Sequence, residues 1–215
     1  MDLYRFIDHT ILKPDCMLSE IKSLCSEAKT YRFAAVCIPP YFVKDAVNAL
    51  KDTNVKVSTV AGFPMGYSCT PSKVEEIKRA IDEGAEELDV PINLSAVKNK
   101  NWNFLKNETE SLATACHMRG KILKLILETG MLTEEEIVKM CQIAADAGVD
   151  YVKTSTGFLG KGATPEVVAL MKKSLPKEVK IKASGGIRDR KSAEALVAAG
   201  ASRLGCSASV SIVTG

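Results

Sequence analysis

Val152-Lys153-Thr154-Ser155-Thr156-Gly157-Phe158 is the stretch from which the fold of this 215-residue chain can be read. Its apolar start and β-branched residues predict a buried parallel strand that opens into a glycine loop. Side chains alternate along a strand, so Val152 and Thr154 take one face, and Lys153 and Ser155 take the other, toward whatever the strand encloses. A charged lysine is costly to bury there. One βα unit further on, Val179-Lys180-Ile181-Lys182-Ala183-Ser184-Gly185-Gly186 repeats the pattern, with Lys182 at its centre and glycines at its end. Two lysines at equal heights on neighbouring strands face each other. At about 6 Å and an effective dielectric near 20, their repulsion is roughly 2.8 kcal/mol, about two pKa units, enough to leave one amine largely unprotonated near neutral pH. A neutral, partly desolvated lysine is a nucleophile for carbonyls. Either lysine alone reads better as a side chain snorkelling out of a strand end. The pair is what argues for chemistry.

Working outward, the same alternation of apolar strand and amphipathic helix recurs along the chain. Strands are predicted at Phe6–His9, Phe33–Ile38, Val55–Ala61, Glu86–Asn93, Ile122–Glu128 and Arg203–Ser207, in addition to the two lysine strands. Between them, stripes such as Ile21, Leu24, Cys25 and Ala28 mark helices, Ser72–Glu75 and Thr133–Glu136 have capping-box spacing, and Gly84 and Gly148 mark helix ends. Eight strands alternating with helices in a chain of this length predict an α/β fold, one (β/α)8 TIM barrel filling residues 1–215 as a single domain. In such a barrel the active site lies at the C-terminal ends of the strands. Asp89 arrives there because Leu88 and Val90 share one face of their strand while Glu87 and Asp89 share the other. A buried carboxylate needs partners, and two amines would keep it ionised and able to move protons, although a purely structural ion pair reads equally well. Lys124 alternates opposite Leu123 and Leu125, onto a face where an inward acid could meet it. Asp8 is open to two readings, inside the barrel or capping the turn before Lys13-Pro14, and that stretch alone favours the turn. The Gly62–Gly66 loop is a candidate lid or pocket wall. Ser184-Gly185-Gly186 and Gly205-Cys206-Ser207 follow the last two strands, where barrels hold phosphate on backbone amides.

Composition narrows the function. The chain is 46% hydrophobic and 26% charged, with a formal net charge of +3 that is interspersed rather than clustered. This argues against a nucleic-acid or membrane surface and leaves a small, anionic molecule as the expected partner. No apolar run is long enough for a signal segment or a membrane span, so a cytoplasmic protein is expected. Seven scattered cysteines without a Cys-x-x-Cys pair and only two histidines, His9 and His117, give a disulfide framework or a metal site little to draw on.

Taken together, Ile7-Asp8-His9-Thr10, Leu12-Lys13-Pro14, the Gly62–Gly66 loop, Leu88-Asp89, Glu128-Thr129-Gly130, the two lysine motifs through Phe158 and Arg188, and Arg203-Leu204-Gly205 closely resemble the deoxyribose-phosphate aldolase family. The resemblance runs nearly end to end. It implies a class I aldolase that reversibly cleaves 2-deoxy-D-ribose 5-phosphate to D-glyceraldehyde 3-phosphate and acetaldehyde, needs no cofactor, and often self-associates as a dimer. It also implies roles: Lys153 as the Schiff-base lysine, Lys182 as the lysine that lowers its pKa, and Asp89 as proton donor and acceptor. Gly185, Gly186, Gly205 and Ser207 would hold the phosphate, and Thr156 would sit beside the substrate hydroxyls. Two departures from the family pattern stand out, Pro91 after Asp89, and Cys206 and Ser209 in the last glycine loop. A barrel that only binds a phosphorylated ligand is the contrasting reading, against which stands the retention of Lys153, Lys182 and Asp89 together.

Overall fold

A computed structural model describes all residues, Met1–Gly215. In chain order the elements are β1 (Ile7–Thr10), α1 (Leu18–Tyr31), β2 (Ala35–Ile38), α2 (Val43–Leu50), β3 (Lys56–Val60), α3 (Thr70–Asp82), β4 (Glu87–Pro91), α4 (Leu94–Lys98) and α5 (Trp102–His117). Then come β5 (Ile122–Ile126), α6 (Glu134–Asp146), β6 (Tyr151–Lys153), α7 (Pro165–Ser174), β7 (Lys180–Ser184), α8 (Arg190–Ala198), β8 (Arg203–Cys206) and α9 (Ser209–Thr214). The eight strands are all parallel and close in sequence order, with β1 against β8. This is the (β/α)8 barrel the sequence predicts.

The hydrophobic effect acts mainly outside the barrel wall. Outward residues such as Leu88, Val90, Leu123, Leu125, Val152 and Ile181 join the buried stripes of the helices in one apolar core. All four predicted stripe residues of α1 are buried. The interior is different. Asp8, Ser58, Glu87, Asp89, Lys124, Lys153, Lys182 and Arg203 are all buried polar residues of the strands. Parallel register sets their heights, with Asp89 beside Lys124, Lys153 beside Lys182, and Lys182 beside Arg203.

Strand and helix ends differ from the expected ones for local reasons. Strand β6 stops at Lys153, because the Thr154 hydroxyl takes over the backbone of β7: its Oγ1 donates to Ser184 O and accepts from Ser184 N, each at 3.0 Å. Pro91 ends β4, and Asp89 two residues earlier keeps its place in the ladder. The Thr133–Glu136 capping box forms. The one expected at Ser72 does not, since α3 begins earlier, at Thr70, with Pro71 in its first turn.

That earlier start buries Lys73. Its Nζ donates to Pro91 O at 2.9 Å and to Glu108 Oε1 at 3.0 Å, tying α3 and α5 to the end of β4 beneath the Gly62 turn. Neither side chain is exposed beyond 2%. Removing one partner of such a pair strands the other charge, whereas replacing both with apolar groups of similar volume is often tolerated. Glu108→Ala is expected to lose about 3 kcal/mol of unfolding free energy in urea, and Lys73→Met with Glu108→Leu to recover most of it. A single variant as stable as the wild type would refute this account of the pair.

Candidate active site

Asp89 organises the interior of the barrel. Its Oδ1 accepts from Lys124 Nζ at 2.8 Å and from Ser58 Oγ at 3.2 Å, while its Oδ2 accepts from both Lys153 Nζ and Lys182 Nζ at 2.7 Å. Lys182 also reaches Asp8 Oδ2 at 2.5 Å, and Lys124 reaches Glu87 Oε2 at 2.7 Å. Arg203 closes the circuit, with Nε on Asp8 Oδ1 at 2.6 Å and its terminal nitrogens on Glu87 at 2.9 and 3.2 Å. Four cationic side chains thus surround three carboxylates.

These contacts fix the charge states. Burial pushes Asp89 up, but Lys124, Lys153 and Lys182 outweigh it and hold the carboxyl well below the usual range. Burial likewise raises Asp8, and Arg203, Lys182 and Lys124 more than reverse it. Burial works to discharge Lys182, yet Asp8 and Asp89 raise its pKa above the usual lysine value. Lys153 and Lys182 are therefore not a bare repelling pair, because the Asp89 carboxylate lies between them. Lys153 has Asp89 as its only ion-pair partner and is also the only amine of the network that reaches the cavity above it.

That cavity, about 210 Å³, lies at the C-terminal ends of the strands and is lined by Lys153, Thr156, Gly185, Gly186, Gly205 and Ser207 among others. All six of these site residues expected from the sequence meet there. Asp89 and Lys182 lie below it, fully buried, and Asp89 is joined to it by the hydrogen bond from Lys153. Gly185 and Gly186 both take positive φ, +88° and +79°, which lets the chain turn over the cavity after β7. At Gly205 a Cβ would lie 2.9 Å from the Ser184 Cβ and 3.2 Å from Lys182 Cε, so the missing side chain is what admits Lys182. The Gly62–Gly66 loop does not itself line the cavity; its Phe63 packs edge-on behind Phe158, a cavity residue, with ring centroids 5.3 Å apart. Cys37 abuts Asp89, its Sγ 4.0 Å from Oδ2, and burial pushes its thiol above the usual value.

Several functional side chains escaped the sequence reading. Asp8 faces the interior and does not cap the turn, which corrects the reading favoured above. The alternation of Ile7, Asp8 and His9 allowed this, but a four-residue strand is too short to announce its faces. Arg203 shares a face with Gly205, two residues on, and could have been placed inside by that spacing. Glu128, just past β5, is buried and accepts two hydrogen bonds from Thr156.

The chain matches the model of the DeoC/LacD family aldolases over residues 3–208. It belongs to that family. It is 49% identical over 215 residues to a deoxyribose-phosphate aldolase of a Geobacillus species, covering all of this chain and 96% of that one. It is equally similar, at 49% over 214 residues, to a deoxyribose-phosphate aldolase of a Thermoanaerobacter species, covering 99% and 96% of the two chains. Among solved structures, the tetrameric deoxyribose phosphate aldolase of Aeropyrum pernix superposes with a TM-score of 0.92 at 30% identity, over 98% of this chain and 89% of that one. No helix is long and apolar enough to cross a membrane. This chain is thus an aldolase by family, with the barrel its relatives share.

The network carries a pH signature. Unfolded, Asp8 and Asp89 take up protons near their ordinary value of 3.8. Folded, both titrate lower, so the stability they contribute is complete above that value and is lost as pH falls through the depressed folded values. Unfolding free energy is expected to fall steeply below about pH 4, and less steeply in Asp8→Asn, which is weaker at neutral pH. Parallel acid profiles for the two proteins would contradict this.

Proposed function

We propose that this chain is a deoxyribose-phosphate aldolase, cleaving 2-deoxy-D-ribose 5-phosphate reversibly to D-glyceraldehyde 3-phosphate and acetaldehyde in deoxyribonucleotide catabolism, in the cytoplasm. The observation that carries the reading is Lys153, a buried amine at the floor of the cavity whose one ion-pair partner is a carboxylate that two other lysines share. An amine so placed at the cavity, in its unprotonated form, is a nucleophile for a carbonyl.

In this mechanism Lys153 Nζ adds to the C1 aldehyde, and loss of water leaves a protonated imine. The Asp89 carboxylate, through a water, accepts the proton of the C3 hydroxyl, with Lys182 holding that carboxylate in place. The C2–C3 bond breaks, its electron pair moves into the imine to give an enamine, and D-glyceraldehyde 3-phosphate departs. Protonation of the enamine at C2 and hydrolysis of the imine release acetaldehyde and regenerate the amine. The imine is the electron sink, so the chemistry asks for no cofactor. Gly185 and Gly186 on the turn after β7, with Gly205 and Ser207 at the end of β8, would hold the phosphate with backbone amides, and Thr156 would meet a substrate hydroxyl. The catalytic unit in this reading is the one barrel, residues 1–215. Self-association as a dimer or larger goes with it, in line with the tetrameric Aeropyrum pernix relative, and sedimentation velocity would register it.

Borohydride reduction in the presence of acetaldehyde, followed by peptide mapping, is expected to leave an ethyl group on Lys153 and none there in Lys153→Ala. Asp89→Asn is expected to lower kcat by about 10²-fold or more. An adduct confined to surface lysines, and equal in both proteins, would overturn the Schiff-base mechanism. Deoxyribose without its phosphate is expected to react at a kcat/KM lower by about 10²-fold or more, since remote binding energy is lost with the phosphate. Equal rates would argue against the proposed phosphate site.

A further inference from the structure

Glu128 has no part in the mechanism above, yet its placement is demanding. It follows β5 in the left-handed backbone region, φ +56°, and its side chain is buried. Its Oε2 accepts from Thr156 N at 3.0 Å and from Thr156 Oγ1 at 2.5 Å, while its Oε1 has no protein partner. Thr156 lines the cavity beside Lys153, and its Oγ1 also accepts from Phe158 N at 3.1 Å.

A hydroxyl has one proton and two lone pairs. In Thr156 the proton is committed to Glu128 and one lone pair to Phe158, so a single lone pair is the only position left for a ligand. The arrangement does not depend on the charge of Glu128. The Thr156 N–H can only donate, which makes Oε2 an acceptor, and a proton taken up by the carboxyl would go to the unpartnered Oε1. Burial does raise the pKa of Glu128, against the opposing hydrogen bonds from Thr156 and the charge of Lys153.

We propose that Glu128 is a positioning residue that holds Thr156 as a one-way acceptor, so that the cavity selects an aldehyde carrying a hydroxyl group over one that lacks it. The inference rests on the aldolase reading. A substrate hydroxyl opposite Thr156 donates into the remaining lone pair. An aldehyde with a methylene there leaves the acceptor of a buried hydroxyl unpaired, the situation in which polar sites discriminate most strongly. A Thr156 hydroxyl released from Glu128 can rotate, donate elsewhere, and lose that selectivity.

The test is the synthesis direction, with acetaldehyde as donor and two acceptors, D-glyceraldehyde 3-phosphate and 3-oxopropyl phosphate, which is the same chain without the hydroxyl. The readout is the ratio of their kcat/KM values in the wild type, Glu128→Gln, Glu128→Leu and Thr156→Val. The wild type is expected to favour the hydroxylated acceptor by about tenfold or more. Glu128→Gln is expected to keep that preference, since an amide oxygen takes both bonds from Thr156. Glu128→Leu is expected to bring the ratio toward one through loss on the hydroxylated acceptor, with the reduced acetaldehyde adduct still forming on Lys153. Equal losses on both acceptors in Glu128→Leu, or a collapsed ratio in Glu128→Gln, would overturn the proposal. Should Glu128→Leu fail to fold, Thr156→Val decides, because an unchanged ratio there is equally fatal. A wild type that forms no adduct and turns over neither acceptor would instead remove the aldolase reading itself.

Discussion

One carboxylate shared by three lysines is the constraint on which this barrel depends. Asp89 could not be buried as an ion without partners, and Lys124, Lys153 and Lys182 could not be buried without it. The strands that carry these charges, β1 and β4 to β8, are therefore held in register by more than their ladders, since a one-residue slip would turn a charged side chain outward and leave the others unpaired. Such clusters are a weak source of net stability, because desolvation cancels much of the attraction. Stability comes instead from the apolar layer between strands and helices, which leaves the interior free to serve chemistry.

The division of labour among the lysines follows from acceptor supply. Lys182 has two carboxylates and Lys124 two at close range, and both are raised above the usual lysine value. Lys153 has one, shared, and opens onto the cavity. Three residues of the same type thus differ by how many acids they can reach, a quantity fixed by strand register and not by the side chains themselves.

The architecture was legible because barrel strands carry strong local signals: continuous apolar runs, glycine exits and helical stripes between them. The interior placement of Lys153, Lys182 and Asp89 was legible because a charge on the inner face of such a strand breaks its pattern. What stayed hidden was pairing. Nothing near Asp8 in sequence shows that Arg203 lies beside it, and nothing near Lys73 shows Glu108. Two lysines read without their counter-ions suggested mutual repulsion, whereas the fold inserts Asp89 between them. Glu128 was hidden for a further reason: it stands beyond the end of its strand, where alternation no longer says which way a side chain points.

The contact between Asp8 and Arg203 joins residues 195 positions apart, on the first and last strands. The barrel therefore has an electrostatic seam where its two ends meet. During synthesis, every charge of the interior except Arg203 is already in the chain before the last strand has emerged. A partly built barrel would leave Asp8 and Glu87 without the guanidinium that bonds them both, and the interior open along one side. Closure of the last strand on the first is thus the event that makes the interior tenable, and it binds the order of the whole circle to a single pair at its seam.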